Sequence, residues 1–315
     1  MKTWPLLMPL FLAAAAGAPQ PSAPVALPVH YEEHRYVVEP QLKDGTKLKF
    51  FTDSGGAADV LYSRTVDRLK LPVTGPILIE GQRLKQTAWP AFADKATIPP
   101  SLYPPKLFVA PAPDFDKKYD GFLGHNWFSG RVWTFDYPGQ RLLWRAPGDL
   151  PPHDKQHEVR LGFRKDEKGE RENDFPRIQV TIDGEVIDFL FDTGATTFLT
   201  AEAVKVIGDK RAAERGGSFI TQRTFNRWKQ KHPDWRVIDK AEATTGASLI
   251  EARSVTVAGW PGEPVWFTTR PDINFDRYVD MMDKPIAGAF GGSGLYPFRV
   301  TVDYVNALAV FEKPQ

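Results

Sequence analysis

Two short loops that each carry an aspartate are the parts of this sequence best suited to chemistry. One is Asp192-Thr193-Gly194, and the other is Asp53-Ser54-Gly55 in the first half of the chain. Apolar residues lead into both loops, so each carboxylate is expected on a tight turn after a buried strand. Two carboxylates held close together cannot both ionise and therefore share one proton. One can then act as a general base on a water molecule while the other acts as a general acid.

The two loops belong to a repeat that extends over both halves of the chain. Each aspartate follows an Asp-Gly turn at the same distance, so each copy is predicted to begin as a β-hairpin. The matched segments are Asp44-Gly45 with Asp183-Gly184, Phe122-Leu123-Gly124 with Ala289-Phe290-Gly291, Trp133-Thr134-Phe135 with Val300-Thr301-Val302, and Asp136-Tyr137 with Asp303-Tyr304. A repeat over whole halves is difficult to obtain by chance. It predicts two similar lobes that each supply one carboxylate.

These features resemble the aspartic peptidases, and the short lobes are similar to bacterial retropepsin-like domains. The resemblance covers nearly all of the chain after residue 18. It implies an all-β, two-lobe acid-protease fold, in which each lobe is a small β-barrel with one or two short helices. It also implies that the apolar-apolar-Gly strand of each half threads behind the aspartate loop. Carried over to this sequence, the catalytic pair is Asp53 and Asp192, the residues bracing the loops are Ser54 and Thr193, and those keeping them tight are Gly55 and Gly194.

The function predicted from this resemblance is an exported aspartic endopeptidase that acts on peptide or protein substrates. Lobe one departs from the family pattern at two positions: Thr52 precedes the aspartate in place of an apolar residue, and Gly56 stands where Ala, Ser or Thr is usual. The alternative is therefore a catalytically silent peptide-binding protein that keeps a protease-like cleft. A carbohydrate-binding β-protein that uses the nine tryptophans is less well supported, since aromatic residues usually belong to the core.

Composition divides the chain into five segments. Residues 1–18 contain one basic residue and an apolar stretch shorter than the about 20 residues that a membrane-spanning helix needs, which is typical of a signal peptide. A proline-rich linker at 19–30 precedes lobe one at 31–146, a charged connection at 147–174 and lobe two at 175–315. From this leader we expect a periplasmic or secreted protein without stable membrane insertion, and the lack of a cysteine after the apolar stretch removes a lipoprotein anchor.

Several local elements are expected within the lobes. Ser63 is expected to cap a helix at 64–69, and Thr200 a helix through Ile207. The hairpin at 77–84 is either a flap that closes over substrate, as in the resembled family, or a plain hairpin with an exposed tip. Lobe two carries an insertion at 216–243, in which we expect Ser218 to cap a helix through Lys231.

Composition also excludes several classes of function. The absence of cysteine excludes disulfides, thiolate nucleophiles and cysteine-based metal sites. Forty basic and 39 acidic residues give a net charge of +1, which does not resemble the basic surface of a nucleic-acid-binding protein. The six histidines lack metal-ligand spacing. We therefore expect no cofactor and no metal, and, since one chain carries both carboxylates, a monomer.

Overall fold

The computed structural model describes residues 21–79, 82–94, 98–102 and 105–314. The predicted signal peptide at 1–18 and the tip of the hairpin at 77–84 lie outside these ranges. Within them, no helix has both the length and the apolar character needed to cross a membrane.

Strands dominate the described residues, and the predicted all-β, two-lobe fold class is confirmed. The strands are β1 Val25–Ala26, β2 Val29–Glu32, β3 Arg35–Val38, β4 Phe50–Thr52, β5 Val60–Tyr62, β6 Val73–Ile79, β7 Gln82–Thr87, β8 Leu107–Ala110, β9 Gly121–Leu123, β10 Val132–Asp136, β11 Arg141–Arg145, β12 Glu158–Arg160, β13 Arg177–Ile182, β14 Glu185–Phe191, β15 Thr196–Phe198, β16 Glu214–Gly216, β17 Ser218–Thr221, β18 Val237–Ile238, β19 Leu249–Ala252, β20 Val255–Val257, β21 Trp260–Pro261, β22 Val265–Arg270, β23 Gly288–Phe290, β24 Arg299–Asp303 and β25 Leu308–Glu312. The helices are α1 Ser63–Leu69, α2 His125–Phe128, α3 Ala201–Ile207, α4 Gln222–Lys231, α5 Ile273–Asp276 and α6 Gly292–Leu295, with 3-10 turns at Asp114–Asp116, Lys155–His157 and Arg277–Asp280.

Each lobe is built on one large sheet, and a third sheet joins the lobes. Lobe one has the order β2-β3-β4-β9-β5-β8-β7-β6, and lobe two has the order β18-β19-β22-β17-β23-β14-β13-β20-β21. The joining sheet has the order β1-β11-β10-β24-β25-β12, and β15 pairs separately with β16. Among the described residues all of these orders are open at both ends, so no closed barrel is found where the resemblance implied a small β-barrel in each lobe.

The sequence repeat appears in the structure as an approximate two-fold relation between the lobes. Strands β10 and β24 lie side by side at the centre of the joining sheet, in antiparallel register with Thr134 opposite Thr301. The two hydroxyl oxygens are 2.7 Å apart, and both side chains are fully buried. Because these threonines occupy matching positions in the repeat, the axis relating the two halves passes between them.

The main hydrophobic core runs from one lobe through the joining sheet into the other. It holds Trp127 and Trp133 from lobe one together with Phe189 and Phe191 from lobe two. Phe135 of β10 meets Phe191 edge-to-face, with 5.9 Å between the ring centroids. Phe191 immediately precedes Asp192, so packing at the joining sheet fixes the strand that delivers one of the two carboxylates.

Two of the three expected helix caps are wrong in detail. Thr200 caps α3 as predicted, since its hydroxyl accepts a hydrogen bond from the Ala203 amide at 3.2 Å. Ser63, in contrast, is the first residue of α1 and makes no cap. Ser218 lies in β17 at the interior of the lobe-two sheet, and α4 begins only at Gln222. The Ser218 hydroxyl accepts a hydrogen bond from the Gly291 amide at 3.0 Å, and this buried bond fixes the segment as a strand.

The hydroxyl pair on the two-fold axis leads to a prediction about stability. Replacing Thr134 by valine leaves the buried Thr301 hydroxyl without its partner, which should lower the free energy of unfolding by about 1–3 kcal/mol. Thr301→Val should cost somewhat less, because the Thr134 hydroxyl keeps a long 3.5 Å hydrogen bond from Arg145. The double variant should lose less than the sum of the single losses, because no unpaired hydroxyl remains. Denaturant titration of all three variants measures this, with Thr256→Val, at a half-buried position of β20, as the matched control. Strictly additive losses would contradict the expected coupling.

Candidate active site

Each aspartate lies at the end of a strand that pairs in parallel with the apolar-apolar-Gly strand of its own lobe. Strand β4 runs beside β9, and β14 runs beside β23. The amide of Asp53 donates to the Leu123 carbonyl at 2.9 Å, and the amide of Asp192 donates to the Phe290 carbonyl at 3.0 Å. The last strand bond before the loop is therefore made by the aspartate amide in both lobes, so the two loops begin with the same local geometry.

The structure brings all six predicted site residues together where the lobes meet. Each glycine lies against the carboxylate of the opposite lobe. A Cβ atom added to Gly194 would lie 2.3 Å from Cγ of Asp53, and one added to Gly55 would lie 2.9 Å from Cγ of Asp192. Since neither approach leaves space for a side chain, glycine is required at both positions for the two carboxylates to face each other.

Each carboxylate is held by the amide of its own loop. The Gly55 amide donates to Oδ1 of Asp53 at 2.8 Å, and the Gly194 amide donates to Oδ1 of Asp192 at 3.0 Å. These bonds fix the two side chains with one oxygen bound to backbone. Asp192 is 8% exposed and Asp53 is half-buried, so the pair is shielded from bulk water without being sealed from it.

Burial has the largest effect on the pKa values of Asp53 and Asp192. It raises the pKa of Asp53 well above its ordinary value, and the nearby negative charge of Asp192 raises it further. Burial also raises the pKa of Asp192, while hydrogen bonds from Asp53 and from the Gly194 and Ala195 amides oppose the increase. The two groups interact directly, so they titrate as a unit that retains one shared proton.

The hydroxyl residues of the two loops bond to each other across the lobe boundary. The Ser54 amide donates to Oγ1 of Thr193 at 3.1 Å, and the Thr193 amide donates to Oγ of Ser54 at 3.0 Å. The Ser54 hydroxyl also donates to the Phe191 carbonyl at 2.7 Å. Both residues are fully buried. This reciprocal arrangement fixes each loop relative to the other.

Both departures of lobe one from the family pattern have a structural reason. Thr52 is fully buried, but its hydroxyl donates to the Tyr36 carbonyl at 2.8 Å, so no polar group is left unpaired. At Gly56, the ring of Phe122 occupies the space of a side chain, since an added Cβ would lie 2.3 Å from Cζ of Phe122. Neither substitution displaces Asp53 from its position.

Two residues near the site were not found from the sequence. His125 is buried, and its Nδ1 lies 2.7 Å from the Gly56 carbonyl; burial lowers its pKa below the ordinary histidine value. Tyr278 places its hydroxyl 3.5 Å from the Gly55 carbonyl, and burial together with the charges of Asp192 and Asp53 raises its pKa. Phe175 lies between them, with ring centroids 3.9 Å from His125 and 5.7 Å from Tyr278.

Few features of the sequence indicate these two residues. His125 directly follows the apolar-apolar-Gly segment, where the second lobe has Gly292, so the repeat itself marks it as a difference between the lobes. Tyr278 lies in the connection between β22 and β23, which is longer than the matching connection between β8 and β9 in lobe one, so the repeat does not predict it.

Comparison with known proteins finds similarity among solved structures but not among sequences. No family model matches the chain, and no curated protein matches its sequence. Among solved structures, the chain is similar to the aspartic proteinase from Irpex lacteus, with 12% sequence identity and a TM-score of 0.49. That similarity covers 93% of this chain and 98% of the other.

The reciprocal bonds of the two loops give a prediction that separates their structural role from the chemistry. Ser54→Ala removes the partner of both the Thr193 amide and the Phe191 carbonyl. Each buried group left unpaired should cost about 1–3 kcal/mol of unfolding free energy. Ser54→Thr, which introduces the residue found in the other loop, is the control and should retain most of that stability. Denaturant titration measures both variants, and wild-type stability in Ser54→Ala would contradict the role of the hydroxyl.

Proposed function

We propose that the protein is an exported aspartic endopeptidase that hydrolyses peptide bonds with a water molecule activated between Asp53 and Asp192. One observation carries this proposal: two carboxylates with raised pKa values, each bound by its own loop amide, face each other where the lobes meet. A pair that shares one proton offers an acid and a base at the same point, as hydrolysis of an amide by water requires.

The proposed reaction follows from that shared proton. The ionised carboxylate removes a proton from the water molecule as its oxygen attacks the carbonyl carbon of the substrate. The protonated carboxyl group gives its proton to the carbonyl oxygen, so a neutral tetrahedral intermediate forms. When the intermediate collapses, the carboxyl group that took the proton of the water protonates the leaving nitrogen and the carbon–nitrogen bond breaks. At the same time a hydroxyl group of the intermediate gives its proton to the other carboxylate. The pair again holds one proton at the end.

The departures at Thr52 and Gly56 were the reason to consider a catalytically silent peptide-binding protein. Each is accommodated locally, by the Tyr36 carbonyl and by the Phe122 ring, and the bonds that position Asp53 remain. The geometry therefore favours the enzyme. We further propose that it acts as a monomer on peptide or protein substrates, because one chain supplies both carboxylates. Export remains a proposal from residues 1–18.

Removing either carboxylate tests the proposed mechanism. Asp53→Asn and Asp192→Asn should each lower kcat by at least about 1000-fold, because the two groups act as a unit. Asp114→Asn, at a highly exposed carboxylate away from the site, is the matched control and should leave kcat unchanged. The assay follows cleavage of a diverse peptide mixture by mass spectrometry, with circular dichroism to verify folding. Near-normal turnover in a folded Asp53→Asn or Asp192→Asn variant would refute the two-carboxylate mechanism.

The raised pKa values predict how activity depends on pH. Activity requires the singly protonated pair, and burial holds that proton to a higher pH than an exposed carboxyl group would. The value of kcat/KM should therefore fall on the alkaline side only above the ordinary carboxyl range, leaving substantial activity at pH 6. On the acidic side it should fall as a second proton neutralises the pair. A profile of kcat/KM against pH measures this, and an enzyme that is folded but inactive at pH 6 would contradict it.

A further inference from the structure

A basic groove lies outside the candidate active site, beside the connection between the lobes. Its volume is about 880 Å³. Buried apolar side chains contribute to its lining, among them Leu161, Phe163 and Met282. One carboxylate, Asp283, and six basic side chains also line it: Arg160, Arg164, Lys165, Arg171, Arg177 and Lys284. The whole chain has a net charge of only +1, so this groove concentrates positive charge.

Three of the six basic residues are already paired. Arg177 forms two bonds of 2.7 Å with Asp283, so the single carboxylate of the groove is neutralised. Arg171 pairs with Asp174 at 2.7 Å and lies over the ring of Phe163, with its guanidinium carbon 3.9 Å from the ring centroid. Arg164 pairs with Glu172 and also donates to the Val279 carbonyl. These contacts fix the walls of the groove.

The other three basic residues are free to bind a ligand. The side chains of Arg160, Lys165 and Lys284 are exposed and make no ion pair or hydrogen bond with the residues that the structure describes. Like charges that share one concave surface raise the local positive potential, and an anionic ligand relieves it. The free cations therefore define where carboxylate groups of a ligand would bind.

The groove shares a wall with the candidate active site. Met282 lines the groove and belongs to the same apolar cluster as Phe175 and Leu190. Leu190 in turn contacts the Asp53 loop, since a Cβ on Gly55 would lie 2.9 Å from its Cδ2. Tyr278, four residues before Met282, reaches the Gly55 carbonyl. One stretch of lobe two thus faces the aspartate loop on one side and the groove on the other.

We propose that this groove binds an acidic peptide segment of a protein substrate. The carboxylates of the segment would pair with Arg160, Lys165 and Lys284, and its apolar side chains would pack on the more accessible Val305 and Ala307 of the lining. A peptide is favoured over a nucleic acid because part of the lining is apolar and the chain as a whole is nearly neutral. The effect on cleavage rests on the proposed function, whereas binding to the groove does not.

A binding experiment tests the groove directly. The probe is a fluorescent peptide in which Glu alternates with Ala and Leu, compared with the same peptide carrying Gln for Glu. Fluorescence anisotropy at low ionic strength, in the Asp53→Asn background, should show binding of the acidic peptide that weakens as salt is added. Combining Arg160→Gln, Lys165→Gln and Lys284→Gln should weaken it about tenfold or more, since each exposed pair contributes modestly.

A matched variant controls for the loss of net charge. Lys43→Gln, Lys106→Gln and Lys205→Gln remove three charges outside the groove and should leave the affinity unchanged. Equal weakening in the control and groove variants would overturn the proposal. An oligothymidylate of the same charge should bind more weakly than the acidic peptide. Equal affinity for the two would indicate a general polyanion surface and would overturn the assignment to a peptide.

A cleavage experiment links the groove to the proposed activity. A cleavable neutral peptide is extended by either the acidic tail or the Gln tail. We expect the acidic tail to raise kcat/KM several-fold, mainly by lowering KM, and the groove variant to lose this advantage while cutting the Gln-tailed peptide normally. If the enzyme cuts both peptides with the same kcat/KM and the groove variant changes neither value, the groove proposal is refuted and the proposed function is not. Specific binding of the acidic peptide by a wild-type chain that cuts neither substrate would refute the proposed function and leave the groove intact.

Discussion

The reciprocal bonds between Ser54 and Thr193 are the constraint on which the rest of the site depends. Each hydroxyl accepts the amide of the other residue, so neither loop is satisfied without its partner. Unpaired buried polar groups are costly, and this cost locks the loops in one relative position. Ser54 and Thr193 are brought into contact by the strands behind the loops, by the joining sheet and by the core around Phe191.

Two ionised carboxylates repel each other, so the structure must offset this repulsion to hold Asp53 and Asp192 together. Two negative charges repel strongly in a buried setting, and a shared proton removes most of that repulsion. The glycines allow the close approach, because any side chain at Gly55 or Gly194 would collide with the opposite aspartate. The stability of the lobe boundary and the raised pKa values of Asp53 and Asp192 are therefore consequences of the same geometry.

The sequence repeat predicted much of this arrangement and failed where one lobe differs from the other. Matching segments in both halves were enough to predict the paired loops and the strands behind them. Ser218 was misplaced because a helix cap and a buried strand serine look alike without knowledge of the Gly291 amide that it binds. Tyr278 and the basic groove lie in or beside stretches without a counterpart in lobe one, so no repeat could indicate them.

The residues at which the two lobes differ depend on whether each buried polar group bonds within its own lobe or to the other lobe. Thr134 and Thr301 bond to each other, as Ser54 and Thr193 do, so a change in one lobe leaves a buried group unpaired in the other. Thr52 finds its partner, the Tyr36 carbonyl, inside its own lobe, and the space beside Gly56 is filled by Phe122 of the same lobe. A substitution at such a position leaves no polar group of the other lobe unpaired. The two halves therefore remain alike where a buried polar group depends on the other lobe, and they differ where each lobe satisfies its own groups, even beside Asp53.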